Sequence, residues 1–497
     1  MNDASSLSAL LSQAQAALAR RDAVQVNTLI RQVLTLDPEN ADALYLLGLN
    51  ASTMNRPDLA INLLGKAIER NPARPHYHFN LGACLSAAGR LDEAEQCLLT
   101  ALRLQPNLAE AHINLGNLRL DQGKMAEAVE CYLRGVRLNP NLKNGYHNLG
   151  VIVQGLGDHE AALSYFQEAL RCDPESAISH MGRAASLLKT GRFREGWQEY
   201  EWRFRVPNHS PRICPVPRWD GSDPSGLRLY VYTEQGFGDA LMFARFAPVI
   251  RERGGIVLME CRPELERLFA ASPLADRISS RALDDADPPP FDYDRHIPLM
   301  SLPLLLGTTL ESLPAQVPYL TPPAERVRAW AERLGPKTGL RVGLSWSGNP
   351  EASVNRERAC ALHHLLPVTL VPNITFYSLQ KGPPAAQLTD ALQRRHEIIP
   401  LAEELHDFTE TAAALLNLDL LISTDTAIVH LAGGLGVPVW TLLHTSCEWR
   451  WLDGREDCPW YPSMRLFRQR QPGDWHELAE RTRRALSELP STGSRGH

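Results

Sequence analysis

Small and apolar residues return every 34 positions through the first part of this chain, and a proline closes each unit. Each unit has a small residue in its first half, a turn residue near its middle, and an alanine or glycine in its second half. Small residues at these places let two helices cross closely, and proline ends the second helix. The pattern therefore predicts helix pairs over residues 1–205, in about five to six repeats. The closing prolines are Pro38, Pro72, Pro106, Pro140 and Pro174.

A helix pair of this length and pattern is typical of the tetratricopeptide repeat. Such repeats stack into an all-α superhelix whose concave face usually holds another polypeptide. We therefore expect this part of the chain to bind a protein partner. The small residues of the first half are Gly48, Gly82, Gly116, Gly150 and Ala184, and the turn residues are Asn55, Gly89, Gly123, Gly157 and Gly191.

The tripeptide Asn-Leu-Gly occupies the same place in three successive units, beginning at Asn80, Asn114 and Asn148. An asparagine side chain offers one acceptor and two donors, so a row of them could pair with the backbone of an extended peptide. Alternatively, these residues are polar positions that face water or cap a turn. The arrangement resembles the asparagine ladder of the eukaryotic O-linked N-acetylglucosamine transferases. That resemblance implies that the three asparagines hold a protein substrate.

The last unit is far more aromatic than the others, with Trp197, Tyr200, Trp202 and Phe204 in one short stretch. Terminal repeats must cover an exposed end, so we expect these side chains to pack the repeats onto a second domain. A proline-rich linker, residues 206–222, leads to that domain.

From residue 223 onward the repeat period is absent, and β-rich runs alternate with helical stretches. This alternation predicts an α/β domain with parallel sheets and with ligands at the carboxyl ends of the strands. Because the alternation of strands and helices begins again near residue 340, we expect two Rossmann-like lobes, 223–335 and 336–497, with a cleft between them. A final helix, Asp474–Leu486, is a candidate to cross back and brace the first lobe. The predicted strands are Leu227–Thr233, Gly255–Cys261, Leu340–Trp346, Ile374–Leu379, Leu420–Ser423 and Val437–Leu443.

The composition is ordinary for a soluble protein, with 44% hydrophobic residues and a net charge of −6. That charge argues against nucleic-acid binding, which requires clustered Lys and Arg. The cysteines form no C-x-x-C pair and are expected to be reduced, buried thiols. The start of the chain has no secretory pattern, and the longest apolar stretch, Ile297–Leu310, is short and broken by prolines. We therefore expect a cytoplasmic protein with no membrane span.

A glycine loop follows the first predicted strand of the second domain. Gly236 and Gly238 could let a ligand approach the backbone closely, although glycine pairs also mark many ordinary turns. Asp239 closes the loop at a helix start, either as a functional carboxylate or as a plain N-cap.

A second segment, Ser423–Trp440, carries a stronger signal. Its hydrophobic strand delivers Asp425 and Thr426 to a helix N-terminus, which attracts phosphate. Thr426 and His430 are four residues apart and share a helix face, so a hydroxyl and an imidazole could address one anion. The apolar neighbours of His430 also fit a core histidine.

The two segments resemble the signature regions of glycosyltransferase family nine, the bacterial heptosyltransferases, in the subgroup fused to tetratricopeptide repeats. The resemblance covers most of the second domain. It implies the GT-B fold, a nucleotide-sugar donor bound mainly by the second lobe, and no essential metal. It also implies that Asp239 is the general base for the acceptor hydroxyl, and that Asp425, Thr426 and His430 hold the donor sugar and its phosphates.

The family also places cationic residues after the first strand of the second lobe, and here Asn349, Arg356 and Arg358 occupy that stretch. Fixed guanidinium groups stabilise a leaving nucleoside diphosphate where other transferases use a metal ion. Alternatively, the two arginines form surface salt bridges with Glu351 or Glu357.

Related repeat-fused enzymes carry a histidine just before the arginine pair, but this chain has Ala352-Ser353 there. Gln380 and Lys381, after the next strand, are further candidates for the nucleotide. The adjacent His363 and His364 would diverge on a helix, and nothing else supplies metal-ligand spacing, so no metal site is predicted. The tryptophans near the end of the domain could stack on a base or sugar, but such residues are more often packing: Trp440, Trp449, Trp451 and Trp460.

These features together favour an inverting glycosyltransferase that moves a sugar from a nucleotide-sugar donor to a hydroxyl of a protein held by the repeats. Repeat-fused transferases suggest flagellin or another surface protein as the acceptor. No cofactor is expected, since the nucleotide sugar is a substrate. Two alternatives remain open: an enzyme that glycosylates the lipopolysaccharide core, and a repeat scaffold whose transferase domain is inactive.

Overall fold

The computed structural model describes residues 2–207, 212–281, 289–351, 355–393 and 396–489, without the side chains of residues 2–5, 356, 357 and 393. It divides the chain into two compact units, Met1–Gly182 and Arg183–His497. The division falls inside a helix, Ala177–Lys189, so the second half of this helix and the helix that follows it are grouped with the second unit.

Helices alone build the repeat part, as the period predicts. Twelve of them follow one another before the first strand in the described residues. They are α1 (Asn2–Ala19), α2 (Ala23–Leu36), α3 (Ala41–Thr53), α4 (Pro57–Arg70), α5 (Pro75–Ala87), α6 (Leu91–Leu104), α7 (Ala109–Asp121), α8 (Met125–Leu138), α9 (Lys143–Gly155), α10 (His159–Cys172), α11 (Ala177–Lys189) and α12 (Phe193–Tyr200).

The small residues stand where two helices touch, as the sequence pattern requires. A Cβ atom added to Gly116 would lie 2.6 Å from Cε1 of Tyr132, and one added to Gly150 would lie 2.7 Å from Cε1 of Phe166. Both aromatic rings are fully buried, so the glycines are the reason that the paired helices can approach. The turn residues, from Asn55 to Gly191, all have positive φ angles, which glycine and asparagine adopt most readily.

Three of the turns between repeats are each stabilised by a histidine. Nε2 of His78 lies 2.8 Å from the carbonyl oxygen of Pro72, and the same contact recurs between His112 and Pro106 at 2.9 Å. His180 repeats it with Pro174 at 2.9 Å. Each proline carbonyl, left without a helical partner, is thus satisfied by a side chain one turn into the next helix.

The second unit contains two sheets in its described residues, and every strand pair in them is parallel. The first sheet has the order β3-β2-β1-β4, and the second has the order β10-β9-β8-β5-β6-β7. The strands are β1 (Arg228–Tyr232), β2 (Ile256–Cys261), β3 (Arg277–Ser280), β4 (Arg295–Pro298), β5 (Leu340–Ser345), β6 (Ile374–Ser378), β7 (Ile398–Pro400), β8 (Leu420–Thr424), β9 (Val439–Leu443) and β10 (Met464–Arg468). We call each sheet with its helices a lobe.

Helices follow most of these strands, since parallel strands need crossover connections. They are α13 (Phe237–Phe243), α14 (Ala247–Glu252), α15 (Pro263–Ala271), α16 (Leu302–Leu305), α17 (Ala324–Leu334), α18 (Asn355–Arg358), α19 (Leu362–Leu365), α20 (Gln387–Gln393), α21 (Phe408–Leu415), α22 (Ala427–Leu435) and α23 (Trp475–Ser487). The chain is therefore an all-helical repeat part followed by an α/β part. No described helix is both long enough and apolar enough to cross a membrane.

The final helix, α23, packs in the second lobe. Trp475, Leu478 and Leu486 belong to the same buried cluster as Val342 of β5 and Ile422 of β8. We expected this helix as a candidate to brace the first lobe. Its apolar face is instead buried in the core of the second lobe. The helix follows β10, an edge strand of the second sheet, and covers that part of the sheet.

Candidate functional site

A cavity of about 680 Å³ lies between the two lobes of the second unit. Its walls come from the segments that follow β1, β5, β6 and β8, which are carboxyl ends of parallel strands. That is where open parallel sheets bind ligands. Of the residues singled out in the sequence, it is lined by Gly236, Asn349, Arg358, Gln380, Lys381, Asp425 and Thr426.

The N-terminus of α22 opens into this cavity. Thr426 stands at the N-cap but makes no side-chain capping bond, and Ala427 and Ile428 line the wall. The first amides of the helix are therefore available to an anion, and the helix dipole favours negative charge there. The packing of the helix is tight, since a Cβ on Gly433 would lie 2.4 Å from the ring of Tyr461.

Asp425 is buried at this end of β8, and its Oδ2 atom has no hydrogen-bond partner. The nearest cation is Arg358, whose Nε lies 3.7 Å from Oδ2 and so beyond hydrogen-bond distance. A buried carboxylate oxygen without a partner is costly. A ligand hydroxyl donated to Asp425 from the cavity would satisfy it.

Five charged residues form one continuous network beside the cavity. Arg358 contacts Asp425 and Glu448, Glu448 also contacts Arg450, and Arg450 contacts Asp239. The network therefore joins α13 of the first lobe to α18 and β8 of the second. Glu448 and Arg450 were not predicted from the sequence, because they are paired with residues far away in the chain and no local motif marks them.

Asp239 does not line the cavity. Its Oδ2 accepts the backbone N–H of Gly236 at 3.1 Å, and its Oδ1 accepts from Arg450. Asp239 is thus the third residue of α13 and not its N-cap, which is Gly236; its carboxylate accepts the N–H of the N-cap and is also part of the charged network. Burial alone would lower the pKa of Arg450, but Asp239, Tyr200 and Asp425 together outweigh burial, and the pKa of the guanidinium is raised.

Gln380 has its amide fully engaged by the protein. Its Oε1 accepts the backbone N–H groups of Trp346 and Ser347, both at 2.9 Å, and its Nε2 donates to the carbonyl oxygens of Ser347 and Lys381. The residue therefore shapes the cavity wall after β5. Asn355, which the sequence did not predict as a site residue, does the same by accepting from the N–H of Gly348 at 2.9 Å.

Two further residues predicted to bind the nucleotide-sugar donor, Asn349 and Lys381, make their side-chain hydrogen bonds with the protein. Asn349 is exposed at the rim and accepts the N–H of Glu351 at 3.1 Å, while the ammonium of Lys381 donates to the carbonyl of Leu405. The side chain of Arg356 and the pair Ala352-Ser353 lie outside the described residues.

His430 lies behind the cavity wall rather than in it. Its Nδ1 is 3.0 Å from Oη of Tyr461, and its ring stacks on Trp451 with centroids 5.3 Å apart. A Cβ on Gly238 would lie 3.0 Å from this imidazole, which explains a glycine at that position. Burial lowers the pKa of His430 to about 4, so the ring is neutral at pH 7 and carries no charge for a phosphate.

The cavity also has an aromatic part that the sequence did not reveal. Phe237 and Phe408 have ring centroids 4.9 Å apart, and the guanidinium of Arg262 lies 3.7 Å above the ring of Phe237. All three line the cavity. Among the described residues, no group of three or more His, Cys, Asp or Glu is arranged to hold a metal ion.

The three asparagines of the repeats are all half-buried, but they are not equivalent. Nδ2 of Asn80 donates to Oη of Tyr45 and to the carbonyl of His76, both at 2.9 Å. Nδ2 of Asn148 donates to Oδ1 of Asn117 at 2.7 Å. The amide donors of Asn80 and Asn148 are thus engaged by other residues of the repeats.

Family models of the tetratricopeptide repeat match residues 51–112 and 107–175. The chain therefore contains these repeats, as predicted from the proline period, and a protein-interaction role follows from them. The models cover only this part of the chain.

The chain is 34% identical over 370 residues to Protein FlbA of Caulobacter vibrioides. The match covers 68% of this chain, which is more than either unit contains, so it includes residues of both. It covers 60% of FlbA, so the chain spans less than two thirds of the length of that relative.

Two solved structures are similar to part of the chain. The structure of pilF from Pseudomonas aeruginosa has 23% identity and a TM-score of 0.40, covering 42% of this chain and 96% of that one. A thermophilic TPR protein of Thermus thermophilus has 20% identity and a TM-score of 0.33, covering 37% of this chain and 99% of that one.

Proposed function

We propose that this protein is an inverting glycosyltransferase that moves a sugar from a nucleotide-sugar donor to a hydroxyl of a protein held by the repeats. The observation that carries the proposal is the convergence of three features on one cavity. They are the uncapped N-terminus of α22, the guanidinium of Arg358, and the unpartnered oxygen of Asp425. The first two suit a diphosphate, and the third suits a sugar hydroxyl.

The bond-breaking step needs charge stabilisation on the leaving group. As the glycosidic bond breaks, the nucleoside diphosphate gains negative charge, which the amides of α22, the hydroxyl of Thr426 and Arg358 would stabilise. The resemblance to the family implies that this stabilisation needs no essential metal. His430, neutral in its buried position, would support α22 through Trp451 and Tyr461 rather than bind the phosphate.

Asp239 would take the proton of the acceptor hydroxyl as that oxygen attacks the anomeric carbon. Its ion pair with Arg450 requires the charged carboxylate, which is the form that can accept a proton. General-base catalysis of this kind contributes about a hundred-fold to ten-thousand-fold. Replacing Asp239 by Asn should therefore abolish transfer and leave nucleotide binding nearly intact.

The acceptor would be a protein segment in the groove of the repeats, with Asn80, Asn114 and Asn148 as contacts to its backbone. The similarity to FlbA extends beyond the repeats, so the combination of the two units is not peculiar to this chain. Flagellin or another surface protein is the proposed acceptor class, by analogy with repeat-fused transferases.

The direct test is thermal stabilisation of the purified chain by a panel of nucleotide sugars and nucleoside diphosphates. A ligand at a hundred times its dissociation constant adds about 2.7 kcal/mol of stability, which is easily measured. We expect a selective shift that is lost in Asp425→Ala and Arg358→Ala. Arg333→Ala, which removes an exposed ion pair with Glu404 in the same unit, is the matched control and should keep the shift.

One observation favours a second candidate function, a scaffold that binds the nucleotide without transferring the sugar. Both oxygens of Asp239 are engaged by the protein, and the residue does not line the cavity. Donor consumption decides between the candidates. Hydrolysis or transfer that is lost in Asp239→Asn supports the enzyme, whereas a bound donor that is never consumed supports the scaffold. No stabilisation by any donor would refute both.

A further inference from the structure

Lys189, the last residue of α11, has its ammonium group buried in the second unit. Only 5% of the side chain is exposed, and Nζ donates to the carbonyl oxygens of Cys447 at 2.7 Å and Glu448 at 3.1 Å. Nζ also lies 3.2 Å from a carboxylate oxygen of Asp453. A buried cation with this many partners fixes the backbone that it contacts. That backbone carries Glu448 and leads directly to Arg450.

Arg203, in the short 3-10 segment Glu201–Arg205, makes a corresponding contact with the first lobe. Its Nη2 and Nε donate to the two carboxylate oxygens of Glu234 at 2.8 and 3.2 Å. Nη2 also donates to Oγ of Ser301 at 2.6 Å. The guanidinium is almost fully buried, and its two-point grip fixes the orientation of Glu234. Glu234 opens the glycine loop that ends at Asp239.

An aromatic residue between these two cations touches both lobes. The ring of Trp197 lies edge-on to Trp449 at 5.4 Å and to Phe243 at 6.1 Å between centroids. Trp449 belongs to the segment held by Lys189, and Phe243 ends α13, which begins within the glycine loop. Residues 189–203 therefore contact both of the loops that carry the charged network.

We propose that Lys189 and Arg203 are positioning residues for the cavity, each fixing one of its two charged loops. Lys189 sets the segment Cys447–Arg450, so that Glu448 and Arg450 meet their partners, and Arg203 sets the glycine loop through Glu234. The proposal rests on the proposed function in one respect, that the positioned site binds a nucleoside diphosphate. A misplacement of about 1 Å in such a site is enough to cost a hundred-fold in rate.

Hydrogen exchange of the full chain, read by mass spectrometry, tests the positioning without any ligand. Lys189→Met should speed exchange in peptides covering 444–452 by about ten-fold, because the local opening that exposes these amides becomes easier. Arg203→Lys, which keeps the charge and loses the two-point grip, should do the same for peptides covering 234–240. Lys337→Met, which removes an exposed pair with Asp419, is the control and should leave both loops unchanged.

Exchange at the wild-type rate in the two loops would overturn the proposal. So would equal acceleration throughout the second unit, since that outcome assigns the residues to general stability. Arg203→Lys serves in place of full truncation because an uncompensated Glu234 could prevent folding.

Calorimetry with UDP, GDP, ADP and CDP connects the positioning to the site. Lys189→Met should lower the affinity for whichever diphosphate binds by about ten-fold. The double variant Lys189→Met/Glu448→Ala should have the same affinity as Glu448→Ala alone, because both changes act through one loop. Additive losses would overturn the link. If the wild-type chain binds none of the four, the proposed function fails, while the exchange result still decides whether the loops are positioned as proposed.

Discussion

Opposite charges are used differently in the two units of this protein. Several pairs in the repeats meet on the surface, as in Arg90 with Glu93 and Arg171 with Glu168, where about half of each side chain is exposed. The most buried pair that we find in the described repeats, Arg119 with Glu95, joins two neighbouring repeats. In the second unit Arg203 and Arg450 are buried, and Arg450 reaches Asp239, 211 positions away. The repeats are therefore held by apolar contacts between neighbours, whereas charges in the second unit hold loops beside a cavity.

The two units can be observed separately in one sample. All ten tryptophans of the chain come after residue 182, whereas the first unit has none. Tryptophan fluorescence therefore reports on the second unit, whereas the helical circular dichroism signal comes from both units, with the larger share from the repeats. Each of the following predictions uses this difference.

The largest expected loss of unfolding free energy comes from removing a buried charge in the second unit. Arg450→Met leaves Asp239 and Glu448 without their shared partner, and breaking a buried pair in this way costs about 3–5 kcal/mol of unfolding free energy. Urea unfolding followed by tryptophan fluorescence measures the loss.

The matched change in the repeats is Arg90→Met, which removes the exposed pair with Glu93. The unfolding midpoint followed by circular dichroism should not move. Equal losses in the two variants would remove the distinction between surface charges and buried ones.

An intermediate effect is expected on acidification, through His430. Its pKa is about 4 in the folded protein, against an ordinary value of about 6.5 in the unfolded chain. The unfolded chain therefore binds a proton first, and stability that is complete above pH 6.5 is lost as the pH falls toward 4, by about 3 kcal/mol from this group.

Urea unfolding of the second unit between pH 7 and 4.5 should thus show a shallower decline in His430→Gln than in the wild type. His476→Gln, which changes an exposed histidine of the same unit, should keep the wild-type decline. Parallel profiles for all three proteins would show that the buried imidazole is not what makes this unit sensitive to acid.

The smallest effect concerns packing between repeat helices. Gly116→Ala forces a Cβ to within 2.6 Å of the buried ring of Tyr132, and such overpacking costs about 1–3 kcal/mol. Gly65→Ala, in the middle of α4 with open space around it, should instead gain about 0.5–1 kcal/mol. Circular dichroism follows both. A loss in Gly65→Ala comparable to that in Gly116→Ala would show that helix propensity, not close approach, sets the need for glycine.

The fold was largely accessible from the sequence because its signals are local. A proline every 34 residues predicted the repeats, and the final helix, predicted at Asp474–Leu486, spans Trp475–Ser487 in the structure. Strands β2 and β8 lie within a residue of their predicted ranges. The lobe against which α23 packs was harder to predict, since it depends on which surface the rest of the chain leaves uncovered.

The site was accessible only in part, and the reason is physical. Asp425 and Thr426 were found because a strand, a carboxylate and a helix start are adjacent in sequence. Arg450 and Glu448 were missed because their pairs with Asp239 and Arg358 join residues far apart in the chain, which leaves no trace in either segment alone. For His430 the sequence left two roles open, a donor contact and a core side chain, because burial cannot be read from spacing. In the structure the imidazole is buried behind the cavity wall.

The tight packing of α22 has a thermodynamic consequence for any ligand of the cavity. Gly433 and Gly434 leave room for Tyr461 and Tyr319 against the helix, and the carbonyl of Gly434 accepts the N–H groups of Tyr319 and Leu320. A helix held in this way has already given up its freedom of movement before a ligand arrives. An anion at its first turn therefore binds to amides that need no further ordering, and little of the interaction enthalpy is offset by entropy lost from the protein.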